Sequence, residues 1–389
     1  MIGISLGLLV SFFVTLAVVR VSPRLGHVLL DHELKGVQKF HATPVPRIGG
    51  LGVFLSFCAC VAAAGIFDTG LMGQMLVLLA CSLPAFGSGL VEDVTKRVSP
   101  RARLLCTMAA TLAACFALDA TVNRLDLPMI DPALHFAPVA IVLTVIAVAG
   151  MANSVNLIDG LNGLASVTAV TIFGSIALVA HQVGDPFVQT VALTMIGATL
   201  GFIILNFPSG AIFLGDGGAY FIGFMLGETL VLLITRHPEV SPSYVMVALY
   251  PLFETVFSIY RRVIVRGHSA GAPDAVHLHT LLYRRIMRTG LQSGCGNNKV
   301  RRNSMTSPYL WTLNLLAVVP ATLFWDNSAV LLVCTLLFAV VYVALYRSVV
   351  KFRTPALLLA PRRRLLTIGA RPAVFQCGQV SDSSGPVNE

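Results

Sequence analysis

The chain has 389 residues, 56% of them hydrophobic and 12% charged, and its mean hydropathy is +0.81. A soluble domain carries roughly 25% charged residues, so a soluble globular protein is excluded. The net charge of +9 would suit nucleic acid, but the cations lie in alternate loops between apolar runs, which excludes that partner too.

Eleven apolar runs follow one another: Ile2–Val21, Ile48–Phe67, Leu71–Val91, Leu104–Val122, Ala137–Ala152, Leu164–His181, Val188–Asn206, Tyr220–Thr235, Tyr244–Tyr260, Tyr309–Trp325 and Ala329–Tyr346. Most approach the length of about 20 residues that a helix needs to cross a bilayer. The first run has no basic leader and no small-residue cleavage site, so it reads as a retained span. The loops carry the topology. Arg20–Arg47 holds five Lys or Arg, Lys96–Arg103 four, Arg261–Arg302 nine and the tail from Arg347 seven. The opposite loops hold only Arg124 and Arg236. This positive-inside asymmetry places the N-terminus outside and the C-terminus in the cytoplasm, which needs an odd number of spans.

The expected fold is all-α, a polytopic membrane bundle of about 11 transmembrane helices. Residues 1–350 form one domain, with cytoplasmic loops at about 23–47, 92–103, 153–163, 207–219 and 261–308. Residues 351–389 are basic and then polar, and are expected to be disordered. No CxxC pair occurs among the eight Cys, so neither a zinc site nor a disulfide frame is indicated.

Five polar clusters stand at run ends, all in the loops that the charge rule assigns to the cytoplasm. Lys39, His41 and Arg47 come first and could hold a phosphate, or simply anchor the topology. In Glu92-Asp93 the carboxylates repel unless a cation lies between them, which suits a magnesium site with a proton acceptor; Lys96 and Arg103 nearby could hold an anion. The alternative is a solvated loop. Asn156, Asp159 and Asn162 are spaced by three, one face of a helix. Their oxygens suit magnesium, and an amide or carboxylate can also pair with the edge of a base; a polar helix cap is the alternative. Gly215-Asp216-Gly217-Gly218 precedes an apolar run, where a helix N-terminus could meet phosphate and Asp216 a metal; an ordinary turn is the alternative. His277-Leu-His279 sits among Arg261, Arg262, Arg266, Arg284 and Arg285 and could bind a diphosphate, or be part of a basic membrane-surface loop.

Carboxylates and an amide beside magnesium, ringed by cations at the lip of a helical bundle, fit phosphoryl transfer. In such chemistry, alignment and charge stabilisation supply most of the catalysis. A transporter is the rival reading. It would work through Glu228 and Glu254, the only carboxylates well inside apolar runs.

The ordered set Pro46-Arg47-Ile-Gly-Gly, Glu92-Asp93, Asn153-x-x-Asn156-x-x-Asp159-Gly-x-Asn162-Gly, Phe213-x-Gly-Asp216-x-Gly and His277-x-His279 resembles the polyprenyl-phosphate N-acetylhexosamine-1-phosphate transferases of glycosyltransferase family 4. The resemblance is to the undecaprenyl-phosphate GlcNAc-1-phosphate branch, which is related to the phospho-MurNAc-pentapeptide transferases. It implies transfer of a sugar-1-phosphate from a UDP-N-acetylhexosamine, by default UDP-GlcNAc, to undecaprenyl phosphate. UMP is released and a lipid-linked O-antigen or other surface polysaccharide is started. It further implies magnesium, with manganese as an alternative, a bacterial inner-membrane location with a cytoplasmic active site, and compatibility with a homodimer.

By the same resemblance, Asp93, Glu92 and Asp159 are the catalytic carboxylates. Asp216 and Asn156 hold the metal. Asp159, Asn162, Phe213, His277 and His279 bind the nucleotide sugar, and Lys39, Arg47 and Arg103 bind the lipid phosphate. Glu92 and Asn162 stand where relatives often carry Asp, and Thr280 where they often carry a further His.

Overall fold

The computed structural model describes residues 2–25, 30–31, 45–265, 267, 276–285 and 296–351. Lys39, His41, Arg266 and the segment 352–389, expected to be disordered, lie outside the described residues. The described chain is almost wholly helical. In order it forms α1 (Ile2–Leu25), α2 (Gly50–Ile66), α3 (Met72–Thr95), α4 (Pro100–Ala117), the short α5 (Asp131–Leu134), α6 (Ala137–Ile158), α7 (Leu164–Gln182), α8 (Pro186–Asn206) and α9 (Gly215–Arg236). A 3-10 turn, Pro242–Ala248, leads into α10 (Leu249–Tyr260) and a π-turn, Arg261–Val265. α11 (Leu278–Arg285), α12 (Gly296–Leu323) and α13 (Ser328–Val350) complete the described part. Two two-residue strands, β1 (Leu30–Asp31) and β2 (Val45–Pro46), pair antiparallel.

Each of the eleven apolar runs overlaps a helix, although Tyr244–Tyr260 begins in the 3-10 turn and Leu104–Val122 runs past the end of α4. Among the described residues, eight helical segments are long and apolar enough to cross a membrane, and α2 is a shorter apolar helix. α4 and α12 carry more polar residues at their N-terminal ends. The starts follow from local chemistry. Ser99 caps α4 by accepting the Ala102 N–H at 3.2 Å, Asp185 caps α8 through the Val188 N–H at 2.9 Å, and Asn327 caps α13 through the Val330 N–H at 3.1 Å. Pro100 and Pro186 occupy first-turn positions, where a missing N–H costs nothing.

α9 is the axis of the bundle. Every residue from Gly217 to Ile234 is buried, against α2, α3, α6, α7 and α8. Small residues permit that packing, as they do in membrane helices generally. On the flank, α1 lies along α8 so closely that a Cβ on Gly197 or Gly201 would run into the backbone of Ile4 or Leu8. Large apolar side chains on the outer faces are open: Phe13 is 62% exposed, Phe116 71% and Val340 66%. A belt of that kind is what a lipid-facing surface requires.

One expected loop is different. The segment 261–308 is not a continuous loop, because it contains the π-turn, α11 and the first three turns of α12. The start of α12 is polar because it packs on polar backbone: Asn303, Ser304 and Ser307 are buried and bond to the segment at Asn162 and Pro208. The apolar run thus marks only the part of α12 that lies beyond that contact.

Candidate active site

Several helix ends meet at one end of the bundle. They are the C-termini of α3 and α6 and the N-termini of α4 and α9, joined by the strip that follows β2. That strip is fixed by backbone: Phe213 N–H donates to Pro46 O at 2.9 Å, Gly49 N–H to Phe213 O at 2.9 Å and Gly50 N–H to Leu214 O at 2.8 Å. Arg47 is thereby laid beside the start of α9. Gly215, at φ +77°, makes the turn into that helix, and a Cβ there would collide with the Arg47 carbonyl and the Asp93 carboxylate.

Asp93 is buried, and each of its oxygens accepts one backbone N–H, Oδ1 from Asp216 and Oδ2 from Gly217, both at 2.9 Å. The first N–H groups of a helix have no partner within it and carry its positive end. Asp93 therefore fastens α3 to α9 and orients Asp216. Asp216 in turn accepts from Asn156 Nδ2 at 2.7 Å on Oδ1 and pairs with Arg103 on Oδ2. The Arg103 guanidinium lies over the Tyr220 ring, 5.6 Å from its centroid. Three of the residues singled out by sequence, from three separate segments, thus converge on Asp216: Asn156 and Arg103 on its carboxylate and Asp93 on its backbone N–H.

Asp159 ends α6 close to this group. Removal of water from its carboxyl, reinforced by Asp216 and opposed by Arg47, raises its pKa well above the ordinary carboxylate value. Three carboxylates, Asp93, Asp159 and Asp216, face two guanidiniums, Arg47 and Arg103.

His277 and His279 are buried and stack in parallel, with ring centroids 5.4 Å apart. A Cβ on Gly160 would sit 3.0 Å from His279 Nε2, so the His-x-His motif adjoins the residue after Asp159.

Two residues from the sequence motifs are held elsewhere. Glu92 Oε2 accepts the Val98 N–H at 2.7 Å and braces the α3–α4 turn. Asn162 is buried in the scaffold. Its Nδ2 donates to Ser304 Oγ at 3.2 Å, its N–H donates to Asn303 Oδ1 at 2.8 Å, and its carbonyl accepts from Ser307 Oγ at 2.6 Å. Phe213 is placed chiefly by its backbone bonds to the strip.

Sequence reasoning missed the residues that hold the 159–163 segment. Asn206 Oδ1 accepts the Gly163 N–H at 2.7 Å, and Trp311 Nε1 donates to Gly163 O at 3.1 Å. Glu254, singled out in the sequence only for the transporter reading, is buried inside α10 and accepts the Leu278 N–H at 2.9 Å. The available signal was a polar residue in an apolar run, Asn206 at the end of one and Glu254 within another.

Among the described residues, no group of three or more His, Cys, Asp or Glu forms a ready metal cage. Magnesium does not require one, since it commonly takes one or two carboxylates and completes its octahedron with water and substrate phosphate. The Asp216 carboxylate and the Asn156 amide oxygen are hard donors suited to that pattern.

Residues 75–234 match the model of glycosyl transferase family 4. The matched segment contains Asp93, Arg103, Asn156, Asp159, Asn162 and Asp216. The chain is 27% identical, over 75% of its length and 79% of the relative's, to a probable undecaprenyl-phosphate N-acetylglucosaminyl 1-phosphate transferase of Bacillus subtilis. It is 28% identical to a decaprenyl-phosphate N-acetylglucosaminephosphotransferase of Mycobacterium tuberculosis, over 83% of each chain. It is also 28% identical to an undecaprenyl-phosphate alpha-N-acetylglucosaminyl 1-phosphate transferase of Thermotoga maritima, over 64% of this chain and 72% of that one. The family resemblance drawn from the motifs is borne out.

Proposed function

We propose, from this kinship with the glycosyl-1-phosphate transferases, that the protein transfers N-acetylhexosamine-1-phosphate from a UDP-sugar to a polyprenyl phosphate in the bilayer. The observation that carries this reading is the convergence of Asp93, Arg103 and Asn156 on Asp216. It gathers oxygen donors and cations at one helix end, as phosphoryl transfer requires.

An oxygen of the lipid phosphate attacks the β-phosphorus of the UDP-sugar. The bond between that phosphorus and the bridging oxygen breaks, and UMP leaves. Asp216 and the Asn156 amide oxygen would hold magnesium, with manganese as an alternative. Such an ion neutralises diphosphate charge and stabilises what builds up during transfer. Each Asp93 oxygen keeps a second lone pair, so Asp93 can hold α9 and still accept a hydrogen bond or proton from the lipid phosphate. Arg47 and Arg103 grip that phosphate, with Lys39 assigned to the same task. Arg103 would share its N–H donors between Asp216 and the acceptor phosphate. Asp159 and the two His line the donor side. Asn162 and Glu92 act by fixing the loops around these groups.

The donor is taken as UDP-GlcNAc and the acceptor as undecaprenyl phosphate. The product would start O-antigen or a related surface glycan. The eleven helices would cross a bacterial inner membrane with this site on the cytoplasmic face. A homodimer is compatible with that arrangement. The transporter reading draws no support from the relatives, all of which are named as transferases.

Membranes containing the protein should release UMP from UDP-GlcNAc when undecaprenyl phosphate and magnesium are both supplied. EDTA should stop release and added magnesium should restore it. Equal release without lipid phosphate, or in the presence of EDTA, contradicts the proposal.

A further inference from the structure

Glu254 lies within α10 and is 1% exposed. A carboxylate inside an apolar helix is costly and is retained where its partners or its function require it. Its partners come from two distant parts of the chain, His277–Leu278 and α13. Oε1 accepts the Leu278 N–H at 2.9 Å and lies 3.4 Å from His277 Nδ1. Oε2 accepts from the Tyr342 hydroxyl on α13. Beside them, the Tyr346 hydroxyl accepts from Arg261 at 2.9 Å and donates to Val276 O at 3.2 Å. The segment Val276–Leu278 is thus clamped by two tyrosines of α13, one of them acting through Glu254.

The far side of the imidazole completes the arrangement. Arg262 and His277 Nε2 are 3.2 Å apart. A guanidinium only donates, so Nε2 is the acceptor and the ring proton sits on Nδ1, facing Glu254. The opposite nitrogen of a histidine is commonly set in this way by a buried carboxylate. His277 stacks on His279, which adjoins Gly160. The orientation of His277 therefore bears on the wall next to Asp159.

We infer that Glu254 is a positioning residue: it fixes the tautomer and orientation of His277 so that Nε2 accepts from Arg262 and holds that guanidinium toward the diphosphate of the nucleotide sugar. This rests on the transferase reading. Glu254 does not touch substrate; it acts through His277.

The test is a double-variant cycle on the full chain in detergent or nanodiscs, combined with 15N NMR of labelled histidine. Glu254→Gln keeps the shape and an acceptor for the Leu278 N–H but removes the charge. Its kcat/KM for the UDP-sugar should fall between about tenfold and hundredfold, the range for losing a group that orients a functional histidine, while KM for the lipid phosphate holds. In a His277→Ala background the same substitution should cost nothing further. Tyr342→Phe leaves the charge but frees the carboxylate to rotate. It should give a smaller loss that also vanishes with His277→Ala.

In the NMR spectrum, the His277 signal, identified by its loss in His277→Ala, should report the Nδ1–H tautomer in the wild type and depart from it in Glu254→Gln. Losses that multiply in the double variants, or a His277 tautomer indifferent to both Glu254→Gln and Tyr342→Phe, overturn the inference. If the wild type releases no UMP, the transferase reading fails while the NMR result still decides whether Glu254 sets His277.

Discussion

Asp216 carries the charge balance of the site. Its two oxygens are matched to one amide and one guanidinium, so a change of charge there is felt by Arg103, Asn156 and Asp93 together. Asp216→Asn keeps the size and should fold, yet activity should drop at least about a hundredfold, as expected when a residue placed to stabilise transferred charge is removed. Initial rates of UMP release check this. Asn162 supports a different expectation. Its amide donates into a pocket of oxygens, Ser304 Oγ at 3.2 Å and Pro208 O at 3.5 Å. A carboxylate would face the Pro208 carbonyl acceptor against acceptor and could be met only by turning the Ser304 hydroxyl from its own carbonyl partners. Asn162→Asp should lower stability by about 1–3 kcal/mol, the cost of leaving a buried polar group unpaired, as read by thermal unfolding in detergent. Glu228 is fully buried in α9, and neither of its oxygens has a hydrogen-bond partner among the described residues. Glu228→Leu should raise the unfolding temperature, because it exchanges an unpaired buried group for an apolar one of similar size.

At the scale of elements, the apolar runs marked the helices well because a membrane helix is defined by length and hydropathy, both of which are local. What the runs missed is tertiary. The start of α12 is polar because it packs on the 162–163 backbone, and no local pattern distinguishes such a helix from a loop. The site was legible in the same partial way. Asp93, Asn156 and Asp216 stand out as polar residues at run ends, and the structure brings them together. Glu92, adjacent to Asp93, has the same chemistry on paper. One residue along a helix turns a side chain by about 100°, and Glu92 falls on the Val98 turn instead. Asn162 has the three-residue spacing of a helix face, but α6 ends at Ile158, so that spacing does not continue. Glu254 was visible as an ionisable residue in an apolar run, but its partners, Leu278 and Tyr342, are distant in sequence.

For the whole molecule, the convergence at one end has a counterpart at the other. Arg124 and Arg236 were the two cations outside the basic loops. Arg124 NH2 donates to Pro238 O at 2.6 Å and Val240 O at 2.5 Å, while Asp126 accepts from Ser328 Oγ at 2.6 Å. Arg236 and His237 both approach Asp185, at 3.8 and 3.1 Å. These are latches between helix ends. Arg124→Ala should reduce stability by about 1 kcal/mol and leave UMP release unchanged, since it lies among the latches and not beside Asp216. The proposed orientation predicts that a C-terminal fusion to alkaline phosphatase, which folds only outside the cytoplasm, stays inactive, whereas a reporter that fluoresces only in the cytoplasm is bright. The reverse pattern contradicts that orientation.

The most direct test of the central claim is the mass of the lipid product. Purified protein in nanodiscs with undecaprenyl phosphate, UDP-GlcNAc and magnesium should convert the lipid to a species heavier by one N-acetylhexosamine phosphate, with matching UMP. Asp216→Asn should abolish both. A lipid of unchanged mass with the wild type, or an undiminished product with Asp216→Asn, would contradict the account.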